Sequence, residues 1–230
     1  MIEDIFDNLD SILVGIRMRR SFGMESKMSE IVDRILNSEI NSLLGEYGSI
    51  DEGPRHKKLY NKETGNYFQV SIDDILVNYK LNNEENELEK IHEIINDKIL
   101  NGIMSEYEIG PIKRVGYINR YQFSGNIVSN FLNNIVGNTF NEINDINLRF
   151  SKKLPLMKSH RKDINDFRNI IINVLKEKKE ELLKISVDYQ YINDPLLEKS
   201  SMVEFEDFIQ KMKSYNEEEI LNWLNDNYMD

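Results

Sequence analysis

Leu183-Lys-Ile-Ser-Val-Asp-Tyr-Gln-Tyr191 alternates apolar with polar side chains along its whole length. This period of two predicts a β-strand with one buried and one exposed face. The same alternation surrounds Arg114-Val-Gly-Tyr-Ile-Asn-Arg120, inside a strand predicted over residues 112–123. Further strands are predicted at residues 12–19, 58–60, 67–72, 75–79 and 146–151. The chain is therefore expected to be built around β-sheet.

Apolar residues at helical spacing separate these strands. Stripes with a period near 3.6 predict helices over residues 26–36, 88–103 and 126–136. A further stripe over residues 205–224 predicts one long or two short C-terminal helices. Gly110-Pro111 ends the second of these helices and Gly137 ends the third. Residues 49–58 and 154–162 are predicted to be loops. Residues 164–182 fit either a helix or a β-hairpin, because a helical stripe coincides there with many β-branched residues.

This succession of elements predicts an α+β fold with two lobes. Each lobe is expected to contain mostly antiparallel sheet with helices packed on one face. The first lobe covers residues 1–123 in the order β-α-β-β-α-β, which is a ferredoxin-like order. The second covers residues 124–230 and ends in C-terminal helices. No internal repeat is apparent in the sequence.

The charge and the absence of cysteine exclude several classes of protein. The 230 residues include 29 Lys and Arg, 40 Asp and Glu, and no Cys, so the formal net charge is −11. Disulfide frameworks, thiol nucleophiles and cysteine-bound metal clusters are excluded. The acidic balance argues against a general nucleic-acid coat. No apolar run approaches the length of a membrane span and the N-terminus is acidic, so a cytoplasmic protein without membrane contact is expected.

Motifs that carry catalysis or hold cofactors are missing from the sequence. His56, His92 and His160 do not stand at metal-ligand spacing, and neither G-x-S-x-G nor a glycine-rich phosphate loop occurs. We therefore predict no catalytic, cofactor-binding or metal-binding residues. Enzymatic activity is left open, and a non-catalytic role is favoured.

The segment Arg114-Val-Gly-Tyr-Ile-Asn-Arg120 resembles the strand signature R-[LV]-G-L-R-Y-I-N-R of a sporadically distributed, uncharacterised bacterial protein family. The order of the predicted strands follows that family over nearly the whole chain. Here Gly116 directly precedes Tyr117, whereas the family signature has two residues between them. The resemblance implies a hairpin rather than a helix at residues 167–191. It brings no catalytic residues, and its sporadic distribution suits accessory or mobile loci.

Asn119 and Arg120 are polar residues within a strand of β-forming residues, where an unpaired buried amide or guanidinium is costly. The structural interpretation pairs Arg120 with a carboxylate such as Asp188. The functional interpretation makes the two residues part of a binding groove on the sheet. We favour the structural interpretation and keep both residues as binding candidates.

Basic residues form three clusters in spite of the negative net charge. They lie at residues 17–20, 55–58 and 152–162. If they converge in space, they form a positive surface for nucleic acid, a nucleotide or an acidic partner. Trp223 is a further candidate, either docked in the core or facing a partner. Besides Asn119 and Arg120, the candidate binding residues are Arg17, Arg19, Lys57, Lys58, Lys152, Lys153, His160, Arg161, Lys162 and Trp223.

Two classes of function remain open. The first is a non-catalytic interaction or regulatory protein of a bacterial or phage accessory locus, such as a defence, counter-defence or antitoxin-like inhibitor, with a partner encoded nearby. An acidic inhibitor would cover a basic surface by electrostatic complementarity. The alternative is a nucleic-acid or nucleotide-binding protein that uses the basic clusters.

Overall fold

The computed structural model describes residues 2–21, 23–43, 46–82, 87–136, 145–155, 167–176, 182–197 and 202–228. Nine strands form one sheet in the order β2-β3-β4-β5-β1-β6-β9-β8-β7, and each described pairing of neighbours is antiparallel. The strands are β1 (Leu9–Met18), β2 (Ser49–Gly53), β3 (His56–Tyr60), β4 (Tyr67–Ser71), β5 (Asp74–Lys80), β6 (Ile112–Phe123), β7 (Ile146–Pro155), β8 (Phe167–Lys176) and β9 (Leu183–Leu197). The expectation of an α+β fold with antiparallel sheet is confirmed.

The helices connect the strands and follow the sheet at the C-terminus. A short 3-10 turn (Phe6–Asn8) precedes β1, and π-helical turns at Ile94–Ile103 and Asn216–Ile220 continue α3 and α6. The α-helices are α1 (Gly23–Leu36), α2 (Glu39–Leu43), α3 (Glu87–Glu93), α4 (Met104–Glu106), α5 (Asn126–Val136), α6 (Met202–Tyr215) and α7 (Leu221–Tyr228). No helix in these described ranges has the length and apolar character needed to cross a membrane.

The hydrophobic core lies between the helices and one face of the sheet. On β1 the buried face carries Ile12, Val14 and Ile16, because side chains alternate between the two faces of a strand. α1 contributes its apolar stripe, which includes the fully buried Ile31 and Ile35. All of these residues belong to one continuous cluster. A single core therefore includes residues from the helices and from every strand except β2.

The structure corrects the predicted order of the first lobe. Four strands lie between the first and second helical regions, whereas the predicted order contains two there. Residues 49–58, predicted to be a loop, form most of a β2–β3 hairpin. β7 likewise continues through Pro155, beyond its predicted end. β6 pairs with β1 on one side and with β9 on the other, so one sheet runs through both predicted lobes. The boundary at residue 123 stays a prediction.

The choice of a hairpin over a helix in the second half is confirmed. β8 pairs with β7 from Phe167 to Lys176, and with β9 from Phe167 to Leu175. The apolar stripe at helical spacing is overridden because β-branched side chains pack well on a pleated surface.

The sheet contains an internal repeat that the sequence analysis missed. The first repeat runs β1-α1-β3-β4-β5-α3, with α2 and β2 inserted after α1, and the second runs β6-α5-β7-β8-β9-α6. In each repeat the first strand pairs with the last, giving β3-β4-β5-β1 and β6-β9-β8-β7. The two first strands pair with each other in the middle of the sheet, with Gly15 opposite Gly116. The repeats are therefore related by a two-fold axis through this glycine pair.

Candidate functional site

The candidate site is the face of the sheet that no described helix covers, called the open face below. Contacts of α3 and α6 reach the other face: His92 of α3 touches Tyr117, and the ring of Phe208 in α6 lies 5.2 Å from that of Tyr189. On β1 and β6 the open face carries the residues of opposite parity, such as Leu13 and Ile118, which are half-buried. The described helices thus leave one face of a nine-stranded sheet available for a ligand.

The open face is basic although the chain is acidic. Strand alternation and register assign three acidic residues to it, Asp51, Asp74 and Asp188, and a fourth, Asp10, forms an ion pair at 3.9 Å with Lys80 of this face. It carries eight basic residues, which are Arg17, Lys58, Lys80, Arg114, Arg120, Arg149, Lys153 and Lys184. The face therefore has a positive surplus within a chain whose net charge is −11.

In the middle of the open face, Gly15 and Gly116 oppose each other without side chains. A Cβ atom on Gly116 would lie 3.8 Å from Asp188 Oδ1, which is ordinary contact distance. A Cβ atom on Gly15 would lie 3.1 Å from Leu76 Cδ2, a tighter approach. The side chains of Leu76 and Asp188 therefore lie beside the two glycines.

Charged side chains lie near this glycine pair. Arg17 Nη2 lies 3.7 Å from Asp74 Oδ2, and the next strand places Arg114 opposite Arg17. Burial raises the pKa of Asp188 above its ordinary value, while a hydrogen bond from Gln190 and the charges of Arg114 and Arg149 oppose that rise. This carboxylate is therefore the acidic group that limits the positive charge of the second half of the face.

Arg120 joins the two halves of the open face. Its Nη1 donates to Asn78 Oδ1 at 2.6 Å, and Asn78 Nδ2 donates to the Gly65 carbonyl at 3.1 Å. The expected carboxylate partner is wrong: the guanidinium bonds an amide, because Asp188 lies opposite Ile118 rather than Arg120. Half-buried and bound to a neutral acceptor, Arg120 keeps its full positive charge on the face.

A row of directly opposed residues crosses the open face through the glycine pair. Each half supplies four members, and the two-fold axis exchanges them in pairs. In sheet order the row is Lys58, Gln69, Leu76, Gly15, Gly116, Gln190, Asn169 and Lys153. Seven strand spacings separate its ends, which is roughly 34 Å.

The structure brings one residue of each predicted basic cluster to the same face, namely Arg17, Lys58 and Lys153. Lys57 and Lys152 alternate onto the opposite side, where Lys57 Nζ bonds Glu52 Oε1 at 2.9 Å. Arg19 follows β1 and is exposed. The remaining basic candidates, His160, Arg161 and Lys162, lie outside the described residues.

Asn119 and Trp223 lie on the helix side and are not part of the open face. Asn119 is 2% exposed, and its Nδ2 lies 3.2 Å from Met212 Sδ in α6. Trp223 of α7 is half-buried, with its ring 5.8 Å from that of Phe150 on β7. The Asn119–Arg120 pair is therefore divided between the two faces of β6.

Sequence reasoning missed four basic residues of the open face, which are Lys80, Arg114, Arg149 and Lys184. A signal was present for Arg114, because it has the same parity as Arg120 in one predicted strand. For Arg149 no comparable signal exists, since its position on the face follows from pairing across the whole second half.

A second concave feature lies between α3 with its π-helical continuation and α6. It is a cleft of about 370 Å³ lined by Glu89, Glu93, Asp97 and Lys213 among others, with His92 also in its wall. Burial, followed by the charge of Lys213, lowers the pKa of His92 to about 3. Within the described ranges no group of three or more His, Cys, Asp or Glu side chains is arranged to hold a metal ion.

Comparison with known proteins adds no family or relative to this description. The sequence matches no protein-family model, and no curated protein matches it.

Proposed function

We propose that the open face binds nucleic acid. The observation that supports this is its charge, with eight basic residues against four acidic ones on one side of an acidic chain. Phosphate binding depends on Lys and Arg on the contacting surface rather than on the net charge of the whole chain. A basic face confined to one side differs from the general coat that the composition argues against.

The neighbouring polar residues support contact with the phosphate backbone. Gln190 and Asn169 bond each other at 3.3 Å next to the glycine pair, and Asn173 bonds Ser186 at 3.3 Å. Amide and hydroxyl side chains of this kind commonly accompany Lys and Arg in contacts to phosphate and sugar. The role proposed is binding and positioning of the polymer.

Two adjacent lysines on β7 provide a matched test. Lys153 belongs to the open face and Lys152 to the helix side, so Lys153→Gln and Lys152→Gln remove the same charge one residue apart. In fluorescence anisotropy with labelled single-stranded and duplex oligonucleotides at low salt, Lys153→Gln is expected to weaken binding several-fold. Lys152→Gln is expected to bind like the wild type. Absence of binding by the wild type, or equal loss in both variants, would refute the proposal.

A basic protein partner is the second candidate, supported by the charge of the helix side. Glu25, Glu30 and Asp33 of α1 are exposed, as are residues 217–219, which are all Glu. Such a surface would complement a basic toxin or effector. The cytoplasmic location, the accessory locus and the nearby partner gene stay predictions from the sequence.

Replacing residues 217–219 with Gln separates the two candidates. If a basic partner binds the helix side, the triple variant should lose capture of the product of the neighbouring gene and keep its binding to oligonucleotides. Unchanged capture by this variant would argue against the acidic helix side as the contact surface.

A further inference from the structure

β3 and β7 occupy equivalent places in the two repeats and share the tripeptide Lys-Lys-Leu. Because Lys58 and Lys153 end the same row of directly opposed residues, the two-fold axis superposes residues 57–59 of β3 on residues 152–154 of β7. The two strands differ in their neighbours: β3 lies between β2 and β4, whereas β7 ends the sheet order. Within the described residues, no strand pairs with the outer edge of β7.

β2 covers the tripeptide of β3 with a complementary pattern. The opposed pairs are Ile50 with Leu59, Asp51 with Lys58 and Glu52 with Lys57. In the last pair, Lys57 Nζ lies 2.9 Å from Glu52 Oε1. Opposed apolar pairs and opposite charges stabilise neighbouring strands. An apolar residue followed by two acidic residues is therefore the pattern that this chain itself pairs, antiparallel, with Lys-Lys-Leu.

The exposure of the shared tripeptide differs between the two strands. In β3, Leu59 is fully buried and both lysines are half-buried, whereas in β7, Leu154 is half-buried and both lysines are exposed. Phe150 lies on the same side of β7 as Leu154 and is 43% exposed. A further strand on this edge would bury apolar surface and bond the backbone groups that an edge strand leaves unpaired.

We propose that the outer edge of β7 binds an extended acidic segment of another protein as an added antiparallel strand. The segment repeats the pattern of Ile50-Asp51-Glu52, with its apolar residue opposite Leu154 and its two acidic residues opposite the preceding lysines. Backbone hydrogen bonds supply the affinity, while the apolar and charged pairs set the register.

This docking does not require an unoccupied lysine side chain. Lys153 already has an interaction within the chain, and so does its equivalent Lys58, whose Nζ lies 4.0 Å from the centroid of the Tyr67 ring. Lys58 nevertheless lies opposite Asp51 of the covering strand. An acidic strand can therefore pair with β7 while the contact of Lys153 is kept.

A separate protein fits this edge better than a second copy of the chain. Two β7 strands paired with each other would bring like charges together, because β7 carries Arg149, Lys152 and Lys153 and no acidic residue. A second copy that offered its β2 would use the opposite end of the sheet, and such a head-to-tail contact repeats without closing. The inference is independent of the proposed nucleic-acid function, since the sheet edge and not the open face makes the contact.

The probe is a labelled peptide with the sequence of residues 46–53, which contains β2, titrated with the full chain and followed by fluorescence anisotropy. We expect saturable binding at one peptide per chain. A control peptide with Asp51→Lys and Glu52→Lys is expected to bind at least about tenfold more weakly. The acidic peptide should slow hydrogen exchange of backbone amides in residues 146–155 and leave exchange in β2 unchanged.

Reversing the charge of the edge should exchange the preference between the two peptides. The variant Lys152→Glu/Lys153→Glu is expected to bind the lysine peptide at least about tenfold more tightly than the acidic one. The control Arg19→Glu/Arg20→Glu makes the same change in net charge at two exposed residues after β1, and it should keep the preference of the wild type. Melting temperatures of both variants verify that they fold.

Three results would overturn the inference: no binding of the acidic peptide to the wild type, equal binding of the two peptides, or slowed exchange confined to strands other than β7. The first includes the case in which a segment of the same chain already covers the edge. Self-association of the wild type that Ile50→Asp abolishes would place β2 of a second copy on the edge and would overturn the assignment to another protein. Binding to oligonucleotides tests the proposed function separately.

Discussion

Affinity for nucleic acid should depend steeply on salt, because binding through phosphates releases counterions. The eight basic and four acidic residues of the open face leave four positive charges in surplus. With each neutralised phosphate contributing about −0.9, the plot of log affinity against log salt should have a slope of about −3.6 for duplex DNA. Between about 50 and 200 mM salt, this slope corresponds to a loss of roughly 150-fold in affinity.

Removing two central charges should change this slope by a defined amount. The double variant Arg114→Gln/Arg120→Gln leaves about two surplus charges, so the expected slope is about −1.8. The control Arg34→Gln/Lys90→Gln removes two basic residues from α1 and α3, on the helix side. It changes the net charge of the chain equally and should keep the slope of the wild type.

The assay is anisotropy of labelled duplex titrated at four or more salt concentrations, with melting temperatures measured on the same samples. A wild-type slope near zero would show that phosphates on the open face do not supply the affinity. Equal slopes for the two double variants would show that the net charge of the chain, and not the open face, determines binding. Either result refutes the electrostatic reasoning.

Three further expectations concern stability and pH. Trp223→Ala should cost about 2 kcal/mol in urea unfolding, less than a full core truncation, and a double-mutant cycle with Phe150→Ala should show about 1 kcal/mol of coupling. The pKa of His92 is lowered to about 3, so the unfolded state binds more protons below pH 6.5. The wild type should therefore lose about 1.4 kcal/mol per pH unit below 6.5, relative to His92→Gln. Because the pKa of Asp188 is raised, its folded state takes up a proton first as pH falls, and both stability and DNA affinity should then increase. Asp188→Asn should bind more tightly at pH 7 and abolish this pH effect on binding.

Local patterns in the sequence were enough to locate most of the elements. The strand at residues 112–123 and the helix at 126–136 have the predicted bounds, because both carry a clear apolar period and end at turn residues. β2 was missed, since Ser-Ile-Asp-Glu-Gly is poor in β-forming residues and forms a strand through pairing with β3. The hairpin at β8 needed the resemblance to be chosen over a helix.

The candidate site was harder to predict than the elements that form it. Alternation alone shows that Lys57 and Lys58 point to opposite faces of one strand, but it does not show which face the helices cover. That assignment follows from β1 pairing with β6 across about one hundred residues of sequence, which no local pattern encodes. The repeat was missed for the same reason, because its identities are short and separated by unequal spacings.

The pairing of β1 with β6 has a consequence for the edges of the sheet and for its two halves. A single repeat would end its part of the sheet at the first strand and leave that edge unpaired. Two identical copies would cover their edges by pairing with each other, which is the commonest symmetry of homodimers. Joining two such copies in one polypeptide frees each of them to diverge. Leu76 and Gln190 occupy equivalent places and differ in polarity, so the two halves of this chain are unequal in a way that two identical copies could not be.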